Sequence, residues 1–462
     1  KENGEILVGF QKKRGLKIYG NVEKLLNQEG NLLLPNISVS HILKDRENGY
    51  WITTVENGIF YSPDINQKIF DISSGLSTDY IAAITFKNES ELFIGLRYGE
   101  IFHLNIEKEL LDKLPPSPWE NTPIFKPSTI IYDLIYDKKR GELWASNGRH
   151  AYFKNGKWMQ VITYDSSGKV SAIIGKKLNL KETGNIIWGS NTHYFGGINV
   201  EKKESRLLSK DLGIKLRTFF VFEDVQGRIW VGTGIGLKEF KNNQLIAPEP
   251  YFEPFGLRTE DIDELPDSTL VIGTKGGGIL LWKGGSLTQI TKKDGLTSNM
   301  IENVHVDSSG TIWVGTLEGL NKLTPTNSGY HIRNYFTWHG LPSNEITQVR
   351  SYQNQVWVAT IKGLMQWHEP RRSEKIVRPV LEKIVVNNQP YALESADEFR
   401  HDENNLEFQF LTLNYRVPGK IPYRFRLNEE EWTETLNRSV NYSNLAAGEY
   451  RFEVQSKTED GV

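Results

Sequence analysis

The sequence contains no cysteine and only 3 methionines among its 462 residues. Disulfides, thiolate metal sites and cysteine nucleophiles are therefore excluded, while the compartment stays open, because exported proteins also avoid free thiols. An excess of one charge is also missing. The 55 Lys and Arg against 57 Asp and Glu leave a formal net charge of −2, so no global field draws the chain to nucleic acid or to an anionic membrane. No stretch reaches the roughly 18 consecutive apolar residues of a membrane span, and the start, Lys1-Glu-Asn-Gly-Glu-Ile-Leu7, has no apolar signal core. Sustained helical periodicity is absent. So are Gly-x-Ser-x-Gly, His-Glu-x-x-His and the Walker loop. Gly273-Thr-Lys-Gly-Gly-Gly278 looks phosphate-friendly in isolation, but no helix pattern follows it and it reads as a hairpin turn. The 9 His residues show no short or i, i+4 spacing, so neither a metal nor a cofactor is expected.

What is present is a packed-core composition, 38% hydrophobic and 11% aromatic, carrying a repeat. The clearest copy runs Gly295-Leu-Thr-Ser-Asn-Met-Ile301, Asp307-Ser-Ser-Gly-Thr-Ile-Trp-Val-Gly-Thr316, Gly319-Leu320. Positions equivalent to its Trp fall at 7, 51, 93, 144, 188, 230, 271, 313 and 357, nine copies about 40 to 50 residues apart. Inside each period lie only short strand patterns and Gly/Asn/Asp turns. Such a period predicts an all-β fold, a β-propeller of four-stranded blades. Nine copies exceed one usual ring. The preferred partition gives the last seven, over residues 71–370, to one seven-bladed propeller and treats 1–70 as extra blade-like repeats, the end of a preceding propeller. A single larger ring stays open.

After Trp367 the repeat stops, and a charged linker leads to short strand patterns such as Asn405–Phe410, Tyr423–Leu427 and Glu449–Val454. Residues 378–462 are expected to form an immunoglobulin-like β-sandwich. The chain lacks an initiating Met and breaks off at Gly461-Val462, so a fragment of a longer chain is expected, with the sandwich lacking its last strand.

The repeat just quoted resembles the two-component regulator propeller repeat over about four fifths of the chain, the copies near Trp144 and Trp188 departing from it. The sandwich resembles the triple-tyrosine domain that follows such propellers, with Tyr423, Tyr442 and Tyr450 as the three tyrosines. The resemblance implies the periplasmic sensor region of a membrane-tethered, possibly hybrid, histidine kinase, with the kinase beyond residue 462. It further implies a small-molecule ligand, an oligosaccharide in many relatives. A homodimer through the C-terminal domain is expected, and no catalysis by the fragment itself.

Two rival readings are a protein–protein scaffold and a glycan-active propeller enzyme. The enzyme would need carboxylates meeting at one mouth of the channel, so the question is whether Asp79, Glu100, Asp211, Asp261, Glu302 and Glu345 converge. Consensus Trp, Gly and Asp read as scaffold. The copies break their own rule in the turn after the second strand. That turn is bland at Gly234-Ile235 and Leu317-Glu318 but reads Arg97-Tyr98, Arg149-His150 and His193-Tyr194 in three consecutive copies. Planar donors and aromatic plates suit sugar rings, so these six residues are the expected ligand cluster, on the face where the Gly-Leu-x-Ser-Asn connections also emerge.

Overall fold

Each full repeat folds as a four-stranded antiparallel meander. A computed structural model describes the chain apart from residues 1–3, 46–47, 66, 118–129, 148–149, 165–169, 172–177, 181–185, 191–194, 207, 370–377, 392–397, 414–420 and 457–462. The chain divides into two compact units, Asn66–Glu369 and a second made of Lys1–Ile65 with Pro370–Val462.

The larger unit is a seven-bladed β-propeller. Its blades begin with the inner strands Ile81–Asn88, Asp133–Asp137, Leu178–Leu180, Thr218–Glu223, Thr259–Glu264, Ile301–Val306 and Ile346–Tyr352, numbered blades 1 to 7. Each inner strand contacts the next, and the last contacts the first. Blade 3 carries two further strands, Ile162–Tyr164 and Val170–Ser171, on its outer edge. Blade 7 takes its fourth strand from the other end of the ring: Lys68–Phe70 pairs antiparallel with Gly363–Trp367, Phe70 opposite Leu364. The sequence reading stopped the N-terminal repeats at residue 70. The strand 68–70 instead belongs to the ring, and it escaped notice because a three-residue outer strand carries none of the repeat's Trp or Gly marks.

The consensus residues satisfy one another locally. The turn Asp accepts the indole N–H of the blade's Trp, 2.9 Å for Trp313 to Asp307 and for Trp230 to Asp224. The Thr closing the second strand donates to the carbonyl of the following turn glycine, as in Thr316 to Gly319 and Thr233 to Gly236. Gly236 has φ +103°, and a Cβ there would lie 1.9 Å from the Phe255 carbonyl oxygen, so only glycine fits. The Gly-Leu-x-Ser-Asn connection follows a single 3₁₀ turn, which its Gly closes at positive φ. Its Asn caps the turn's first amide (Asn299 to Lys292, Asn344 to Thr337), and its Leu is buried.

Among the described residues the strands of neighbouring blades do not pair, apart from an isolated bridge between Lys275 and Met300, and buried polar side chains on the inner strands tie the blades together. Asp261 of blade 5 accepts from the Val304 amide (3.0 Å) and the Asn303 side chain; Asn303 of blade 6 accepts from Val349 of blade 7 (2.8 Å). Gln348 accepts from Ile84 of blade 1 (2.6 Å) and donates to Asp133 of blade 2, which accepts from Leu178 of blade 3 (2.9 Å). Blade 1 has Ala83 at this register, small enough for Gln348 to reach past. Each charge-assisted or neutral bond of this belt contributes about 1–3 kcal/mol, and each would cost as much if left unmade.

In the second unit, residues 1–65 form two three-stranded sheets, Ile6–Gly9 with Leu16–Tyr19 and Asn31–Leu33, and Val39–Lys44 with Tyr50–Thr54 and Ile59–Ser62. The second repeats the blade devices, with Trp51 bonded to Asp45 and Thr54 to the Gly58 carbonyl. The described residues within 378–456 form an Ig-like pair of antiparallel sheets. Between them lie Phe410, Tyr423 and Phe452, with Phe408 stacked on Phe452 at 4.2 Å. Tyr423 is buried and its hydroxyl accepts from the Thr412 amide; Tyr450 is exposed, and its hydroxyl donates to the Ala446 carbonyl as a corner tyrosine does. Tyr442 lies between, half-buried against Phe408 and Phe452.

Candidate functional site

The inner strands of blades 1, 4, 5, 6 and 7 share one irregularity. Each has a β-bulge two residues in, between Ile81 and Ala83, Thr218 and Phe220, Thr259 and Asp261, Ile301 and Asn303, and Ile346 and Gln348. The extra residue is left out of the ladder and its side chain is re-aimed. These residues, Ala82, Phe219, Glu260, Glu302 and Thr347, all line a single cavity of about 490 Å³. Tyr132 of blade 2, one residue before the belt position like the others, joins them. Blade 3's counterpart lies outside the described residues. The wall is completed by Tyr80, Ile130 and Glu345 just upstream, and by the first turn residue after the second strand, Arg97, Leu317 and Ile361.

The ladder and belt fix the backbone, and what varies from copy to copy is what faces the cavity. Three carboxylates point there, two already neutralised: Glu260 by Arg258 at 2.7 Å, and Glu302 by the Lys275 ammonium. Glu345 and Arg97 have no ion-pair partner among the described residues, and both are exposed. The Arg97 guanidinium lies 4.8 Å over the Tyr80 ring, and that of Arg258 4.0 Å over Phe219. Burial pushes the Tyr80 phenol up; Arg97 opposes this, while Glu302 and Glu345 add to it, so the phenol stays a proton donor. The cavity thus offers carboxylate acceptors, guanidinium and phenol donors, and aromatic faces, with its charges nearly balanced. That inventory suits a neutral, hydroxyl-rich ligand.

Of the six residues expected to cluster, Arg97 lines this cavity. Tyr98 beside it is 61% exposed and does not. His150 begins the third strand of blade 2 and is buried, its ring nitrogen 3.3 Å from where a Cβ on Gly189 would sit. Neither ring nitrogen has a hydrogen-bond partner among the described residues, and burial pushes its pKa down to about 4. Arg149, His193 and Tyr194 lie outside the described residues. Of the six acids, Glu302 and Glu345 converge, joined by Glu260. Asp79 instead caps the Ile72 amide (2.8 Å), Glu100 pairs with Lys113 and Ser77, Asp261 serves the belt, and Asp211 sits in the short helix Leu208–Asp211. Sequence reasoning looked for rule-breaking in the turns and missed the bulge position. The signal was weak: Ala82, Phe219, Glu260, Glu302 and Thr347 follow an Ile or Thr in every copy, but the residue after them varies as well. Leu317, read as bland, is part of the wall.

Three comparisons bear on this geometry. The Y_Y_Y domain family matches residues 414–462. The chain is similar to Histidine kinase P4 of Formosa agariphila, 23% identical over 429 residues that cover 84% of this chain and 30% of that protein. Its fold is similar to the extracellular domain of the hybrid two-component system BT3049 from B. thetaiotaomicron, with a TM-score of 0.74, 19% identity, and 99% of this chain against 65% of that one. The extracellular domain of BT4673 from the same organism matches at a TM-score of 0.53 and 17% identity, over 100% of this chain and 66% of that one. The chain therefore spans under a third of the curated relative and about two thirds of the solved structures. Sequence and fold together place its resemblance with two-component sensor regions. Among the described residues, no helix is long and apolar enough to cross a membrane.

Proposed function

We propose that this chain is the periplasmic ligand-sensing region of a membrane-bound two-component kinase, and that the ring cavity holds its ligand, an oligosaccharide. The observation that carries this reading is the set of bulges that turn Ala82, Phe219, Glu260, Glu302 and Thr347 into one cavity. Bulges beside a pocket serve to aim side chains, and different residues aimed into one cavity from a rigid repeat are placed for selection. Binding without turnover is favoured by the ion pairs that engage Glu260 with Arg258 and Glu302 with Lys275. The signal passes through the C-terminal sandwich, which brings two copies together.

Calorimetric titration against purified neutral oligosaccharides tests the site. Arg97→Ala or Glu302→Gln should each weaken binding by about 1.5–3 kcal/mol through loss of a charge-assisted hydrogen bond. Glu318→Ala, on the turn but outside the wall, should change little. Unchanged affinity in both cavity variants places the ligand elsewhere, and release of shorter sugars during the titration would make the chain an enzyme instead.

A further inference from the structure

A second layer of acceptors lies two residues beyond the belt. Asp263 of blade 5 accepts from the Val306 amide of blade 6 (2.8 Å), and Asn179 of blade 3 accepts from the Glu223 amide of blade 4 (3.2 Å). Between blades 6 and 7 the acceptor is an imidazole. The Ser351 amide donates to His305 Nε2 at 2.9 Å, and the Ser351 hydroxyl lies 2.7 Å from the same nitrogen. Val349 and Ser351 are alternate residues of the inner strand, so both amides turn from the ladder towards blade 6.

A ring nitrogen that accepts an N–H carries no proton of its own. The single proton of the neutral ring therefore sits on Nδ1, 3.4 Å from the Asp263 carboxylate. That carboxylate also takes the Glu264 amide, while the Glu264 side chain turns to the Val225 amide of blade 4. Blade 7 brings Arg350, whose guanidinium donates to the Val349 carbonyl. Blade 6's own second strand sets Trp313 opposite His305, with the Lys322 ammonium 5.4 Å over the indole. The imidazole keeps 15% of its surface exposed, so solvent protons reach it.

A second proton reverses the polarity of this joint. Imidazolium donates from both nitrogens, so Nε2 then holds the Ser351 hydroxyl as an acceptor and has no lone pair for the Ser351 amide. An amide oxygen or a carboxylate, by contrast, goes on accepting in mildly acid solution.

We infer that His305 makes the joint between blades 6 and 7 a proton-operated latch, shut on the Ser351 amide while the imidazole is neutral and released when it becomes imidazolium. The strands it joins, Ile301–Val306 and Ile346–Tyr352, also carry Glu302 and Thr347 to the cavity. The latch itself does not depend on what the cavity binds.

The test follows hydrogen exchange of the full chain by mass spectrometry between about pH 8 and about pH 5, with intrinsic rates divided out. Peptides covering 346–352 should lose protection about tenfold towards acid, while those covering 301–306 and 218–223 stay within about twofold. His305→Asn, which installs the acceptor type blade 3 uses, should abolish the acid loss in 346–352. Protection there that is independent of pH, or that falls equally in His305→Asn or in the control peptides, overturns the latch. A measurement on the unaltered chain serves if the variant does not fold: with nitrogen-labelled histidine, NMR at pH 8 should find the His305 line, identified through its contact with Ser351, protonated at Nδ1 and bare at Nε2. The opposite tautomer also overturns it.

Discussion

Blades 4 and 6 and blades 2 and 3 solve one problem in opposite ways. Every one of these blades buries a Trp whose indole N–H needs an acceptor. In blades 4 and 6 the acceptor is the blade's own turn Asp, six residues earlier. In blade 2 the equivalent Asp137 pairs with Arg140 at 2.8 Å, as Asp224 does with Arg228, but the Trp144 N–H has no partner among the described residues. Lys203 of blade 3 instead lies 4.8 Å over the Trp144 ring and pairs with Glu142 of blade 2. In blade 3 the Trp188 N–H reaches Glu223 of blade 4 (2.8 Å). A consensus blade satisfies its own groups, whereas a divergent blade borrows from its neighbour. The first kind should carry stability locally, and the second should depend on the ring being assembled.

The largest effect expected is Trp230→Ala in blade 4. The side chain is fully buried against Trp282, and its removal should cost about 3–5 kcal/mol in denaturant unfolding. Next comes the acceptor. Asp224→Ala strands the buried Trp230 N–H and should cost about 1–3 kcal/mol. Asp137→Ala strands no indole and should cost less; equal losses would break the comparison.

Acid should separate the two regions by window. His150 in blade 2 is held neutral by burial, with its pKa down at about 4 against an ordinary 6.5. The unfolded chain therefore binds a proton the folded blade refuses, and stability drains as pH falls from 6.5 towards 4. For Asp307 in blade 6, burial alone would raise the pKa, but hydrogen bonds from Ser309, Trp313 and the Thr311 amide outweigh it and hold it low. Its contribution is full above the ordinary carboxylate range and is lost only as pH falls through the lowered value. Hydrogen exchange followed down the pH scale should show blade 2 losing protection first, and His150→Phe should flatten that early loss. Simultaneous loss in both blades would remove the distinction. The smallest effect is the cap: Asn299→Ala should cost about 1 kcal/mol in thermal unfolding.

The repeat made the all-β propeller legible because its marks are backbone requirements, such as the glycine at 236 that a Cβ would drive into a carbonyl. Arg97 was legible for the opposite reason, as a residue no scaffold calls for. Of the bulge residues only Glu302 stood among the candidate acids; Glu260 did not, and only the shifted register in the folded ladder turns both inward. The belt residues Asp261, Asn303 and Gln348 were hidden in the same way, since a buried polar group looks exposed until its partner in the next blade is known. His150 misled because a histidine in a turn-like string suggests a surface, while the strand it opens runs beneath one.

The strand Lys68–Phe70 also sets a timetable. Its partner, Gly363–Trp367, leaves the ribosome about 300 residues later, or roughly 15 to 60 s at 5–20 residues per second. Until then blade 7 does not exist, and blade 1 has no neighbour on that side. Closure must be the last and most non-local event of folding, and such contacts are slow to form. The nascent ring consequently waits open, with one apolar flank uncovered, for longer than most domains take to fold. Chaperone dependence during synthesis should exceed anything the finished ring's stability would suggest.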